Sequence, residues 1–240
     1  MTTKFNELSL LSTNLDFDNH GGRYKNKTYT EIMKFLLLEK PTFLALQEVG
    51  DNGNGLKIKD LAFALKKQGY NMVSPEMDGI KPVNTRLFYD SNVVKFVKNL
   101  LPIYETGFVN RQSGAVFKTK NNKNSVAIFS LHFPLYGKFP KEKEQMWDTY
   151  IQFASKASKT YDHVILAGDF NESLINKTDL SHKIIEMERY MIDVSEESPT
   201  WNNNRQLDHV FITPNTKIEA YSTLDNEFSD HKALHVAFIV

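Results

Sequence analysis

Val164-Ile165-Leu166-Ala167-Gly168-Asp169-Phe170-Asn171 is an apolar run that ends abruptly in polar side chains. The first four residues, two of them β-branched, predict a strand buried in the core. At strand spacing Asp169 and Asn171 share one side and Phe170 takes the other. Phe170 would pack inward and hold both polar groups out. A carboxylate there can coordinate a metal or orient a water, and a neutral amide can donate to a phosphate oxygen. The bland alternative, a Gly-Asp turn, is disfavoured by the core strand that precedes it.

The same arrangement recurs toward the C-terminus. Ser229-Asp230-His231 leads into the apolar stretch Ala233 to Val240, and Asp208 heads the strand Val210 to Thr213. An imidazole beside a carboxylate can transfer a proton or, when protonated, hold a phosphoryl oxygen. Asp208 is the candidate that orients His231. His132 closes the strand Val126 to Leu131, where it is either a second imidazole facing a phosphate or a satisfied strand-end histidine. His20, His163, His182, His209 and His235 are expected to be structural or exposed.

Toward the N-terminus, Leu8 to Leu15 reads as a first strand ending at Asn14 and Asp16. Thr28 and Glu31 form a capping box for a helix with apolar positions Tyr29, Ile32, Met33, Leu36 and Leu37, stopped by Pro41. Thr42 to Gln47 is a buried strand that opens at Glu48. Taken alone, Glu48 reads as a solvated strand end, Asn14 as a turn former. Loops are expected at Asp18 to Lys27, Asp51 to Gly55 and Asn121-Asn122. Ile58, Leu61 and Leu65 predict a short helix. Arg86 to Tyr89, Val93 to Val97 and Ala115 to Lys118 predict further strands. Lys141 to Lys159 predicts a long helix with Trp147, Tyr150, Ile151, Ala154 and Ser158 on one face. So many strands in 240 residues predict two packed sheets rather than one open sheet.

With 41% apolar and 24% charged residues, a sizeable core can be buried and nothing suggests a disordered or fibrous protein. Basic and acidic residues balance at 29 each, so bulk charge gives no support for a dedicated nucleic-acid binder. The lysines of Lys118 to Lys123 and Lys138 to Lys143 could still supply a local basic rim. The absence of cysteine removes thiolate catalysis and zinc-thiolate sites and fits a reducing compartment. No signal peptide and no membrane span are expected, and the chain is expected to be a cytoplasmic monomer. Walker, dinucleotide, His-Glu-x-x-His and Gly-x-Ser-x-Gly patterns are all missing.

In order, Asn14-Leu15-Asp16, Gln47-Glu48, Ser130-Leu131-His132, Gly168-Asp169-Phe170-Asn171, Leu207-Asp208-His209-Val210-Phe211 and Ser229-Asp230-His231 resemble the endonuclease/exonuclease/phosphatase superfamily, in its deoxyribonuclease and sphingomyelinase-like branch. The match spans nearly the whole chain. It implies a single catalytic domain over residues 1–240, an α/β four-layer sandwich of two packed mixed β-sheets flanked by helices. It implies a Mg²⁺ site, with Mn²⁺ as a substitute. Glu48 resembles the principal metal ligand, with Asn14 and Asp16 near it and Asp230 as an additional metal-side carboxylate. Asp169 resembles the residue that activates water, Asn171 the amide on the phosphate, and His231 held by Asp208 the histidine that stabilises the transition state. His132 matches a histidine of the same branch. In pancreatic-type enzymes a glutamate orients that histidine, and Asn84 to Tyr89 offers none, which points to phosphate binding rather than general-acid work. Arg86 and Arg111 are candidates for contacting the substrate phosphate.

The implied activity is metal-dependent phosphoester hydrolysis by in-line attack of water, foremost by a nuclease with nucleic acid as partner. A phosphatase or phosphodiesterase on small-molecule or lipid-headgroup phosphates is the alternative, with Phe133, Leu135, Tyr136 and Phe139 as a substrate-contacting loop. A non-catalytic binding protein on the same fold is a third, which the joint presence of Glu48, Asp169, Asn171, Asp208, Asp230 and His231 opposes.

Overall fold

The computed structural model describes residues 7–17, 28–49, 57–73, 84–100, 102–104, 107–120, 124–195, 198–202 and 204–240. The loops expected at 18–27 and 51–55 and the turn at 121–122 lie outside the described residues, as does His20. In chain order the elements are β1 (Glu7–Asn14), α1 (Tyr29–Leu36), β2 (Phe43–Gln47), α2 (Ile58–Lys66), β3 (Tyr70–Met72), β4 (Arg86–Asp90), β5 (Val94–Leu100), β6 (Gln112–Thr119), β7 (Ser125–His132), α3 (Pro140–Ala157), β8 (His163–Asp169), α4 (His182–Met187), β9 (Ile192–Asp193), β10 (Asp208–Ile212), β11 (Lys217–Leu224) and β12 (Ala233–Ile239).

Two six-stranded sheets form, in the orders β11-β12-β1-β2-β4-β3 and β5-β6-β7-β8-β10-β9. In each, one central pair is parallel, β1 with β2 and β7 with β8, and the other pairings are antiparallel. A parallel pair needs a crossover, and α1 and α3 lie in those two connections. Parallel strands end side by side, so Asn14 is level with Gln47 and His132 is level with Asp169. The antiparallel neighbour β10 then starts where β8 ends, with Asp208 opposite Asp169.

Alternation along the central strands sorts their side chains into three cores. Phe43 and Ala45 of β2, Val126 and Ile128 of β7, and Ile165 and Ala167 of β8 meet between the sheets. Leu44 and Leu46 face Ile32 and Leu36 of α1 and Leu61 and Leu65 of α2 on one outer face. Val164, Leu166 and Phe129 face Trp147, Tyr150 and Ile151 of α3 on the other. Three cores between helix, sheet, sheet and helix are the four-layer α/β sandwich expected.

Gly168 is required by this packing. Its φ is +147°, and a Cβ there would lie 1.9 Å from the carbonyl oxygen of Leu131 on the paired strand. Only glycine tolerates that backbone and that approach. The capping box is present as expected, and α1 closes at Leu36, one turn ahead of Pro41. On α3 the buried face ends at Ala157, and Ser158 is the exposed C-cap. The elements that sequence periodicity missed are β3, α4, β9 and β11. Three are six residues or shorter. The fourth, β11, is a sheet edge with no fully buried position and therefore no apolar alternation to read.

Candidate active site

The ends of β1, β2, β7 and β8 and the segments leading into β10 and β12 meet at one pole. Buried polar pairs tie the sheets together just beneath it. Gln47 Nε2 donates to Ser130 Oγ across the inter-sheet gap at 3.1 Å, and Ser130 Oγ donates to the carbonyl of Leu46 at 3.2 Å. These bonds fix Glu48 on one sheet relative to His132 and Asp169 on the other.

Asn14, Glu48, His132 and Asp169 converge above this layer. Asn14 Nδ2 donates to Glu48 Oε1 at 3.1 Å and to Asp169 Oδ2 at 3.2 Å. His132 Nε2 is 3.6 Å from each of the same two carboxylate oxygens. The side-chain oxygen of Asn14 accepts the backbone N–H of Asp16 at 2.9 Å. Asn14 therefore faces the cluster with its nitrogen, as a donor to the carboxylates. Asp16, Glu48 and Asn171 all have left-handed backbones, with φ of 52°, 50° and 53°. Residues other than glycine adopt that conformation at a cost of about 1–2 kcal/mol each, and such strain gathers at functional sites.

His231 stands on the other side of Asp169. Its Nδ1 is 2.8 Å from Asp208 Oδ2, and its Nε2 is 3.9 Å from Asp169 Oδ2 and 4.0 Å from Asp230 Oδ1. Burial opposes a charge on the ring, but Asp208 and Asp169, with the bond to Asp208, outweigh it and push the pKa up to about 10. His231 is thus an imidazolium at neutral pH. His132 is the opposite case. Burial, then the positive charges of Arg111, His231 and Lys143, hold it well below 6.5, so it is neutral. Its buried Nδ1 has no partner among the described residues, in keeping with the missing glutamate. Burial raises Asp169 to about 6, against the pull of His231 and of bonds from Asn171 and Asn14.

Among the described residues, two sets of side chains have ligand atoms within 4.8 Å of one another: Glu48, His132 and Asp169, and Asp169, Asp208 and His231. The second is unsuited to a metal, because an imidazolium already bonded to Asp208 has no lone pair to give. The first offers two carboxylate oxygens and a neutral imidazole. That donor set suits a divalent cation, and a cation there would relieve the burial cost on Asp169.

The cluster floors a cleft of about 670 Å³. Asp16, Arg111, Asn171, Trp201, Arg205 and Asp230 also line it. Asn171 Nδ2 donates to the carbonyl of Phe133 at 2.9 Å, and its backbone N–H donates to Asp169 Oδ1 at 2.9 Å. Asp230 sits at the rim, its Oδ2 accepting from Trp201 Nε1 at 3.0 Å, outside both compact sets. Of the two arginines singled out, Arg111 lines the cleft. Arg86 is buried in β4, donates to the carbonyl of Thr85 at 2.7 Å, and is not among the described lining residues. Leu135, Tyr136 and Phe139 line the cleft as expected, but Phe133 is fully buried against Trp147 and Phe170. Lys138 and Lys143 line the cleft. Lys118 lies toward the opposite end of β6, since Gln112 at the near end pairs with Leu131. Lys120 is exposed just past the end of β6, and positions 121–123 of the first basic stretch lie outside the described residues.

A family model described as the endonuclease/exonuclease/phosphatase family matches residues 11–231. The chain belongs to this family. Members of the endonuclease/exonuclease/phosphatase family hydrolyse phosphoesters and use divalent metals. No curated protein matches the sequence. Solved structures do match over nearly the full length. A D. rerio TDP2 complexed with single-strand DNA product has 18% identity and a TM-score of 0.72, over 97% of this chain and 98% of that one. ANGEL2, a 2′,3′-cyclic phosphatase, in complex with adenosine-2′,3′-vanadate, has 13% identity and a TM-score of 0.73, over 99% of this chain and 97% of that one. A Bacteroides thetaiotaomicron mannosyl-6-phosphatase has 18% identity and a TM-score of 0.71, over 97% of this chain and 100% of that one. At these identities the likeness is one of fold. No helix among the described residues is long and apolar enough to cross a membrane.

Trp201 and Arg205 of the cleft have no signal in the sequence, because they lie in an irregular segment without periodicity. Lys143 was legible: it falls on the same helical face as Met146, Trp147 and Tyr150, where a lysine is out of place.

Proposed function

We propose that this protein is a Mg²⁺-dependent phosphodiesterase of nuclease type, with Mn²⁺ able to substitute. The observation that carries this is the convergence, at one pole, of a metal-capable Glu48, His132 and Asp169 set with an imidazolium at His231. Glu48, with His132 beside it, would hold the cation next to Asp169, and the cation when bound supplies Lewis-acid stabilisation of phosphate and leaving-group charge. Asp169 positions the attacking water and accepts its proton. Its Oδ1 is fixed by the Asn171 N–H, leaving Oδ2 toward the cleft. His231, kept charged by Asp208, stabilises the extra negative charge of the pentavalent transition state. The second hydrogen of the Asn171 amide and the Arg111 guanidinium contribute further donors to the phosphate oxygens. His132, being neutral, binds rather than protonates.

A nucleic-acid substrate is supported by the aromatic and cationic walls, Tyr136, Phe139 and Trp201 with Arg111, Lys138 and Arg205. Such pairs suit stacked bases on a charged backbone. A small phosphate ester is a second reading, favoured by the modest cleft volume and by Thr178 and Asp179 in its lining, which suit sugar hydroxyls. The test is a panel with Mg²⁺, Mn²⁺ or chelator: bis-p-nitrophenyl phosphate, single- and double-stranded DNA, RNA, cyclic nucleotides and hexose 6-phosphates. Chelator-sensitive turnover of the diester and of single strands is expected. Turnover confined to monoesters would select the second reading, and no turnover of any phosphoester would overturn both.

A further inference from the structure

In the wall of the cleft lies a buried charged pair that the mechanism above does not use. Lys143 and Glu172 are 1% and 0% exposed. Lys143 Nζ is 2.5 Å from Glu172 Oε1 and donates to the carbonyl of Asn171 at 2.6 Å. The other carboxylate oxygen of Glu172 accepts from Thr178 Oγ1 and, at 3.0 Å, from the backbone N–H of Leu180. His209 Nε2 lies 3.0 Å from the Glu172 carbonyl, so the next peptide is held as well.

A lysine and a glutamate in the core are costly to desolvate, and apolar residues of similar volume would serve stability as well or better. What an apolar pair would not supply is a bond to the Asn171 carbonyl. Asn171 is left-handed, and its own N–H holds Asp169 Oδ1. Its amide donates to the carbonyl of Phe133, directly after His132. One residue in a strained conformation thus sets both Asp169 and the phosphate-side amide, and Lys143 is the group that grips its far end.

We infer that Lys143, neutralised by Glu172, is a positioning residue that locks the Asn171 peptide and through it the orientation of the Asp169 carboxylate. This rests on the hydrolytic reading of the site. Lys143 acts through Asn171 and forms no bond to the substrate.

The test compares Lys143→Met, Lys143→Arg and Glu172→Gln with wild type. A control is Lys183→Met, which breaks the pair between Lys183 and Asp148 that joins α3 and α4 away from the cleft. Lys143→Met is expected to lower kcat about 10²-fold, the scale of a small misplacement of a reacting group, with KM changed less than about threefold. Mn²⁺ affinity, read by titration calorimetry without substrate, is expected to fall less than kcat does, because Asp169 also faces the cation site while Glu48 and His132 are untouched. The Asn171 amide is expected to exchange with deuterium at least about tenfold faster while the β7 and β8 amides are unchanged. Lys143→Arg should recover part of kcat, and Lys183→Met should lose none. If Lys143→Met does not fold, Glu172→Gln, which keeps the volume, must show the same local exchange. An unchanged kcat per folded molecule, or exchange that rises uniformly across β8, overturns the inference. Should wild type hydrolyse no phosphoester, the functional reading fails, while the exchange of Asn171 still decides the clamp.

Discussion

Asp208→Asn removes one charge and almost no volume from the centre of the site. Asp208 is 1% exposed, and its Oδ2 is 2.8 Å from His231 Nδ1. At that distance, with an effective dielectric of about 20, two unit charges attract by ~6 kcal/mol, or about four pKa units. The rise of His231 from 6.5 to about 10 is of the same size, and Asp208 is the foremost group producing it. Burial of the ring is untouched by the substitution and pulls the other way. The imidazole of the Asn variant is therefore expected to titrate at or below neutrality. Two measurements follow. In metal-free buffer, NMR titration of the His231 ring should show a midpoint about three or more units lower. With Mg²⁺, kcat at pH 8 should fall about 10²- to 10⁴-fold, the range for loss of a positioned acid–base group. Wild type should hold its rate until pH approaches 10, and the variant should lose it near neutrality. The stability supplied by a raised histidine pKa is fully present below 6.5 and lost as pH rises through about 10. The variant should therefore also be less stable by several kcal/mol at pH 6 and by less at pH 10. A His231 still charged above pH 8 in the variant, or a rate within about threefold of wild type, would refute this account of the pair.

Gly168→Ala should cost more than about 4 kcal/mol or prevent folding, because the new methyl meets the Leu131 carbonyl at 1.9 Å. Thermal melts that differ by less than a few degrees would contradict it. Glu48→Gln should weaken Mn²⁺ binding in calorimetry and lower kcat by about 10² or more while leaving the melting temperature near wild type. In chelator, wild type should lose stability relative to Asp169→Asn as pH rises from about 4 to about 6. The folded carboxyl titrates near 6 against 3.8 when free, so it resists ionising by ~3 kcal/mol. Urea midpoints across that range would show it, and a difference independent of pH would exclude it.

The local chemistry of this protein was written in its sequence. Each strand-end cluster lies within a few residues: Gly168 to Asn171 after a buried run, Gln47-Glu48 after another, Ser229 to His231 before the last. The capping box of Thr28 and Glu31 and the inward packing of Phe170 follow from spacing alone, because capping and strand alternation are short-range. The structure alone decided which clusters meet. Two parallel pairs, β1 with β2 and β7 with β8, end at one pole, and that depends on pairings between residues far apart in the chain. It also decided the charge states. His132 and His231 are the same side chain at similar strand ends, yet one is neutral and one is charged, because His231 Nδ1 meets Asp208 of another strand at 2.8 Å, while His132 has carboxylates no nearer than 3.6 Å and is governed by burial and the positive charges of Arg111, His231 and Lys143. The left-handed backbones of Asp16, Glu48 and Asn171, the exclusion of Arg86 from the described cleft and the placing of Lys143 under Asn171 are of the same kind. Strain, desolvation and through-space charge are properties of neighbours, and neighbours are fixed only when the sheets have packed.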